Sequence, residues 1–233
     1  MEPVVIIPGI GCDARVVLPQ MLGLGLVHAV QVILPVQATV EAASEAALLM
    51  APARFALVGQ GLGGIVALDI LRRAGDRVTR VALLATDPLA EEPKVAGLRE
   101  ARMVAARSGR LAQAMLEEVP EASLLDGPGR EDVLALQQQM VLDLGEGIYL
   151  RQCRALQRRP DQQKTLRRAT IPALIVMGAH DRIVPPRRAD FMAGLMPRAT
   201  VQVVEAGHLP TLEAAGQVTA ALADFLNAPL LLR

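Results

Sequence analysis

Residues 56–67 read "ALVGQGLGGIVA", and the fold turns on this stretch. A short apolar run enters Gly59-Gln60-Gly61-Leu62-Gly63-Gly64 and leaves as an apolar helical pattern. Glycines at this density permit a sharp strand-to-helix turn and let the helix lie close to the strand. The spacing is that of a turn built to lift one side chain, normally a serine hydroxyl, above the end of a sheet. Here the lifted position is Gly61, which has nothing to lift.

The flanking chain alternates strand and helix patterns. "VVIIP" (Val4 to Pro8), "VQVILPV" (Val30 to Val36), "RFALVG" (Arg54 to Gly59), "RVALLA" (Arg80 to Ala85), "ALIVMG" (Ala173 to Gly178) and "TVQVVE" (Thr200 to Glu205) are short runs of Val, Ile and Leu. Near-continuous apolar runs of this length predict strands buried on both faces, hence an open, mostly parallel α/β sheet of about six strands flanked by helices. Amphipathic segments predict helices at Arg15 to Leu22, Val40 to Met50, Leu62 to Ala74, Pro186 to Met196 and Leu212 to Leu226. Between Asp87 and Thr170 only helical patterns occur, as in "VAGLREARMVAARSGRLAQAMLEEV" and "REDVLALQQQMVLDL". We therefore expect a core from residues 1–88 and 167–233, with a helical cap at 89–166. "DPLAEEP" and "LLDGPGRED", rich in acids, Gly and Pro, are the expected soft spots.

Composition narrows the partners. With 233 residues the chain can bury one sizeable core, and 24 basic against 24 acidic residues give no field to recruit nucleic acid or an anionic membrane. Trp is absent and Tyr occurs once, which leaves little for base stacking or interfacial anchoring. Two cysteines do not make a disulfide framework. Strand-like sequence begins at Pro3 and no apolar run reaches membrane-spanning length, so a cytoplasmic location is expected. The three histidines and scattered acids have no metal-ligand spacing, and "GQGLGG" lacks the acid a dinucleotide fingerprint needs. Neither metal nor cofactor is expected.

A parallel sheet binds its ligand beyond the carboxyl ends of its strands. The first strand delivers "PGIGCDAR" there, with the Ile10 amide a candidate oxyanion donor. The third delivers Gly61, followed by the Leu62 amide at a helix N-terminus, a second donor. The fifth ends in "GAHDRIVPP" with Asp181, and the sixth in "EAGHLPTLE" with His208. The order turn, acid, histidine is that of a hydrolytic triad.

Four segments now carry a family likeness: "IIPGIGCDARV", "ALVGQGLGGIVAL", "LIVMGAHDRIVPP" and "VVEAGHLPTLE". Together they resemble the α/β-hydrolase superfamily over nearly the whole chain, and most of all its small bacterial carboxylesterases of the pimeloyl-carrier-protein methyl ester type. The resemblance implies an open parallel sheet under a helical cap, with Asp181 orienting His208 and the amides of Ile10 and Leu62 binding the oxyanion. It also places the family's nucleophilic serine on Gly61.

No other residue replaces that nucleophile convincingly. Ser44 belongs to the helix before the third strand and is expected to face solvent, while Ser108 and Ser123 fall in the cap. Cys12, near the oxyanion loop, is read either as a thiolate or as a small buried residue. Gly11, Cys12, Gln60 and Tyr149 are candidate pocket residues, with Arg151 and Arg154 on the same cap helix as Tyr149. Asp13 and Arg15 could reach the rim, although a helix cap explains Asp13 as well. His180 is read as a neighbour of Asp181, and His28 as a surface residue.

Three functions stay open. The chain is a carboxylic ester, thioester or lactone hydrolase frame whose serine has given way to Gly61, so that hydrolysis is weak or absent. Alternatively His208 and Asp181 work without a covalent intermediate, as in lyase, isomerase, cyclase or cofactor-free oxygenase chemistry. In the third reading the pocket only binds a small ligand. The apolar cap pattern suggests an apolar ester-like or ring-containing molecule, and no macromolecular partner or oligomeric state is implied.

Overall fold

The computed structural model describes residues 2–230. Six parallel strands form one sheet: β1 (Val4–Ile7), β2 (Val30–Val32), β3 (Phe55–Gln60), β4 (Val78–Leu84), β5 (Ala173–Gly178) and β6 (Ala199–Val204), in the order β2-β1-β3-β4-β5-β6. Every residue of β1, β3 and β5 is buried, which is why these runs are apolar without alternation. In register, Val58 of β3 lies between Ile6 of β1 and Ala82 of β4.

From β1 the chain crosses to β2 on one side, and from β3 it crosses to β4 on the other. Right-handed crossovers therefore put the connecting helices on opposite faces and open a crevice between the ends of β1 and β3. On one face α1 (Leu18–Gly25) packs against α11 (Ala215–Asn227). On the other, α2 (Val40–Met50) packs on α3 (Leu62–Ala74), α3 on α8 (Gln163–Arg168), and α8 on α9 (Arg187–Leu195).

Between β4 and α8 lie α4 (Pro93–Arg107), α5 (Leu111–Glu118), α6 (Arg130–Leu144) and α7 (Glu146–Gln157), which pack on one another. The continuous helical pattern over 95–119 is divided at Gly109, whose φ of 79° ends α4 and lets α5 turn back. Likewise the stretch expected as one helix from Leu212 breaks at Ala214, giving α10 (Pro210–Glu213) and then α11. The expected helix from Arg15 begins as a 3-10 turn over Ala14–Val17 and becomes α1 at Leu18.

Strand β2 stops at Val32, four residues short of the expected Val36. Beyond it Pro35 has no N–H to pair, and the carbonyls of Pro35 and Val36 accept instead from Gln152 and Arg151 of α7. The "DPLAEEP" loop is not soft throughout, because the Glu91 carboxylate is fully buried and paired with Arg99. No helix among the described residues is long and apolar enough to cross a membrane.

Candidate functional site

The turn after β3 is the tightest place in the molecule. Gly61 caps α3 with φ 53° and ψ −118°, a backbone shape that side-chain-bearing residues seldom take. It is held from all sides: its N–H donates to the Leu84 carbonyl at 3.0 Å, and its carbonyl accepts from Thr86 Oγ1 at 2.7 Å and from the Gly64 amide at 3.0 Å. Three neighbouring glycines are there for want of room. A Cβ on Gly59 would overlap the Gly63 carbonyl, one on Gly63 would overlap the Ile7 carbonyl, and one on Gly64 would lie 2.6 Å from Thr86. Gly61 differs, since a Cβ there meets nothing nearer than Gly9 Cα at 3.6 Å.

Beside this turn the ends of β5 and β6 bring two polar residues together. His208 Nδ1 donates to Asp181 Oδ2 at 2.8 Å, and Asp181 Oδ1 accepts the backbone amides of Ile183 and Val184 at 2.8 and 2.9 Å. These amides come from the "DRIVPP" loop itself, so the chain after β5 folds back to hold its own carboxylate. No described group hydrogen-bonds His208 Nε2, the nitrogen left for a reacting molecule. Burial pulls the imidazole toward its neutral form, but the charge and hydrogen bond of Asp181, with Glu213 and Glu118 beyond, raise its pKa above the ordinary value of 6.5.

That direction fixes a pH dependence. His208 binds its proton more tightly folded than unfolded, so its contribution to stability is full below about 6.5 and is lost as pH rises through the higher folded value. Asp181→Asn removes the raising charge and keeps the burial. We expect the His208 titration, followed by NMR of the ring carbons, to move from above 6.5 in the parent to below it in the variant.

The His208 loop is pinned by Glu213 in the first turn after it. This carboxylate accepts the amides of Gly207 at 2.9 Å, Leu209 at 2.7 Å and Leu125 at 2.5 Å. The His208 amide also donates to the Ser123 carbonyl at 2.8 Å, so the loop is tied to the segment between α5 and α6. Glu213→Ala strands three partly buried N–H groups, and urea denaturation should show a loss of about 2 kcal/mol.

A cavity of about 390 Å³ joins these parts, lined by Gly9, Ile10, Gly61, Leu62 and His208 among others. The amides of Ile10 and Leu62 have no hydrogen-bond partner among the described residues. Cys12 and Gln60 also line the cavity, whereas Gly11 and Tyr149 do not. Gly11 is turned away, its amide donating to Gln152 at 2.9 Å and its Cα facing Met115. Tyr149 is wholly buried within the helices, its hydroxyl donating to the Ala114 carbonyl at 3.4 Å. Arg151 and Arg154 do not line the cavity either, because both are exposed on the outer face of α7, where Arg151 donates to the Val36 carbonyl at 2.7 Å.

Other expectations are corrected by burial. Ser44 faces inward, not outward: it is fully buried and donates to Asp69 at 2.5 Å. His28 is buried rather than superficial, its Nδ1 donating to the Glu2 carbonyl at 3.1 Å. None of Ser44, Ser108 and Ser123 lines the cavity. Cys12 sits in it as a thiol, pushed up to about 12 by burial and then by the charge of Asp13. Asp13 caps the 3-10 turn and holds Arg15, which reaches Asp143 and not the cavity.

The wall facing α4 to α7 was not foreseen. Beside the apolar Val95, Val119 and Leu156 it carries Arg99, Glu118, Gln137 and Arg159, with Glu91 from the loop after β4. Arg99 pairs with both oxygens of Glu91 at 2.7 and 2.9 Å and with Glu118, which also holds Arg102 at 2.8 Å. Met103, Met115, Met140 and Val141 of these helices are buried in the core and do not line the cavity. A signal was present: Arg99 shares a helical face with Met103 and Ala106, and Gln137 with Met140 and Val141. Polar residues at core spacing mark an inward-facing polar wall. Among the described residues no three His, Cys, Asp or Glu gather as metal ligands.

Comparison with known proteins agrees with this fold. A pimeloyl-[acyl-carrier protein] methyl ester esterase of Neisseria meningitidis serogroup A is 26% identical over 197 residues, which cover 82% of this chain and 63% of that protein. The chain thus spans less than two thirds of that relative's length. A thermophilic esterase from Thermogutta terrifontis, solved with malate bound, matches with a TM-score of 0.86 at 25% identity, over 97% of this chain and 89% of that one. The enol-lactonase from Burkholderia xenovorans LB400 gives the same TM-score, 0.86, at 23% identity over 98% and 92%, a likeness of fold. The model of the alpha/beta hydrolase family matches residues 5–222, which include β1, the Gly61 turn, Asp181 and His208, and the chain belongs to that family.

Proposed function

We propose that this chain is a carboxylic ester hydrolase frame lacking its nucleophile, with Gly61 at the place where a serine hydroxyl would stand. The observation that carries the reading is the contrast within one turn. Gly59, Gly63 and Gly64 leave no space for a side chain, while Gly61 keeps the strained shape and has space for one. His208, hydrogen-bonded to Asp181, serves as the general base, and the free amides of Ile10 and Leu62 receive the oxyanion. The helices α4 to α7 act as a cap over the cavity.

In this frame the parent chain binds an ester and turns it over slowly. His208 can still draw a proton from a water in the space above Gly61, but no acyl-enzyme forms. The esterase relatives support esters, thioesters or lactones as the substrate class, and the mixed lining fits a molecule with one apolar and one polar end. The reading includes a cytoplasmic setting, in keeping with the two free, buried cysteines Cys12 and Cys153.

A second reading draws on the same space. If the space above Gly61 lets a substrate carbon acid meet His208 directly, the dyad performs proton abstraction with the amides stabilising an enolate. Hydrolysis of short-chain p-nitrophenyl esters by the parent and by Gly61→Ser separates the two. Gain of activity in the variant supports the hydrolase frame, and a well-folded, inactive variant removes it.

A further inference from the structure

The polar wall of the cavity contains hydrogen-bonding capacity that the protein does not use. Most of its groups are paired internally: each nitrogen of Arg99 donates to Glu91 or Glu118, and Arg159 donates to the Leu89 carbonyl at 2.9 Å and to Glu91 at 3.2 Å. Gln137 is the exception. Its side chain is wholly buried on α6, it lines the cavity, and neither Oε1 nor Nε2 has a partner among the described residues. Gln60, at the end of β3 and 2% exposed, lines the same cavity. Its Oε1 accepts from the buried Thr211 hydroxyl at 2.9 Å, which leaves Nε2 without a partner.

A buried amide left unpaired is costly, which an apolar residue at the same helix position would avoid. The buried glutamine therefore reads as a group paired by a ligand. On one cavity Gln137 offers a free carbonyl oxygen and a free NH2 group and Gln60 a second free NH2 group, a set complemented by a neutral group with an acceptor and a donor on neighbouring atoms. We propose that Gln137 and Gln60 form a subsite for a carboxamide carried by the ester substrate, and that this subsite selects such esters over apolar ones. The proposal rests on the reading of the cavity as an ester site. It places discrimination on α6 and on β3 next to Gly61.

Such a site rejects an apolar isostere because the isostere leaves the buried amides unpaired. The test uses the intact parent protein, whose slow turnover allows equilibrium calorimetry. The probes are methyl ω-carbamoyl alkanoates of graded chain length, each against the methyl ester in which an isopropyl group replaces the carboxamide. At the best-fitting length the carboxamide ester should bind about tenfold more tightly than its isostere. In Gln137→Leu that preference should vanish or reverse, with the isostere bound at least as well as before. Gln137→Met serves the same purpose should the leucine variant fold poorly. Equal binding of both members at every length, no binding of either, or a preference that survives both variants would overturn the subsite. A change in melting temperature alone, with preference intact, would assign Gln137 to stability and also overturn it. The hydrolase reading is judged separately by Gly61→Ser, so absence of any preference in the parent together with gain of hydrolysis in Gly61→Ser removes only the subsite.

Discussion

Gly61→Ser is expected to raise hydrolysis of p-nitrophenyl acetate and butyrate by on the order of 10⁶-fold over the parent chain, the scale on which loss of a nucleophile lowers turnover in a serine protease. The backbone already has the shape the side chain needs. Gly61 stands at φ 53° and ψ −118°, tied to Leu84, Thr86 and Gly64 by hydrogen bonds that do not involve a side chain. Serine must adopt a conformation it disfavours, at a cost of about 1 to 3 kcal/mol. The core bears that cost because Cβ has 3.6 Å of clearance. We therefore expect a lower melting temperature together with the gain in rate. In the double variant with His208→Ala the gain should disappear, since the hydroxyl then has no base. Steady-state rates on samples with matching circular dichroism decide it.

Gly63→Ala, two residues on, should have the opposite character. Its Cβ would overlap the carbonyl oxygen of Ile7 and lie 2.7 Å from that of Pro8. Both are backbone atoms, and Ile7 belongs to the central part of the sheet, so no flexible side chain can give way. Either α3 lifts from β1 or β1 moves, and the expected loss exceeds about 4 kcal/mol. Urea denaturation measures it, with Gly97→Ala as the reference. Gly97 lies within α4 with open space around it, and alanine there should add about 0.5 to 1 kcal/mol. A Gly63→Ala protein as stable as the parent would refute the packing described for the turn.

These two glycines show what was legible in the sequence and what was not. A cluster of glycines between an apolar strand and an apolar helix reveals a sharp turn, because few other sequences permit one. It does not reveal which glycine serves conformation and which serves close approach. That distinction depends on Ile7 and Thr86, which reach the turn from β1 and from the loop after β4. The bounds of α2 and α3 follow from local pattern and hold to the residue. Those of β2 do not, because they depend on side chains of α7 that borrow its carbonyls.

The site divides in the same way. Asp181 and His208 stand in segments with recognisable loops at strand ends, so their proximity could be expected. Tyr149 and Gln137 both lie on helices beyond the sheet, and local pattern could not tell which one faces the cavity. The aromatic residue drew attention, yet it is the packed one, and the glutamine lines the space. Helical spacing shows which residues share a face, and only the tertiary arrangement shows what that face meets. The acidic "DPLAEEP" loop adds a similar lesson. Its composition predicts a soft surface segment, but Arg99 and Arg159 draw Glu91 inward.

The most direct measurement is intact-mass spectrometry after exposure to a fluorophosphonate, which labels a serine only where a base and an oxyanion site activate it. The account predicts one added phosphonyl group on Gly61→Ser, none on the parent chain, and none on the double variant with His208→Ala. Labelling of the parent would contradict the assignment of Gly61 as the vacant nucleophile position. A folded Gly61→Ser protein that takes up no label would show that His208 and the amides of Ile10 and Leu62 are not arranged for acyl transfer.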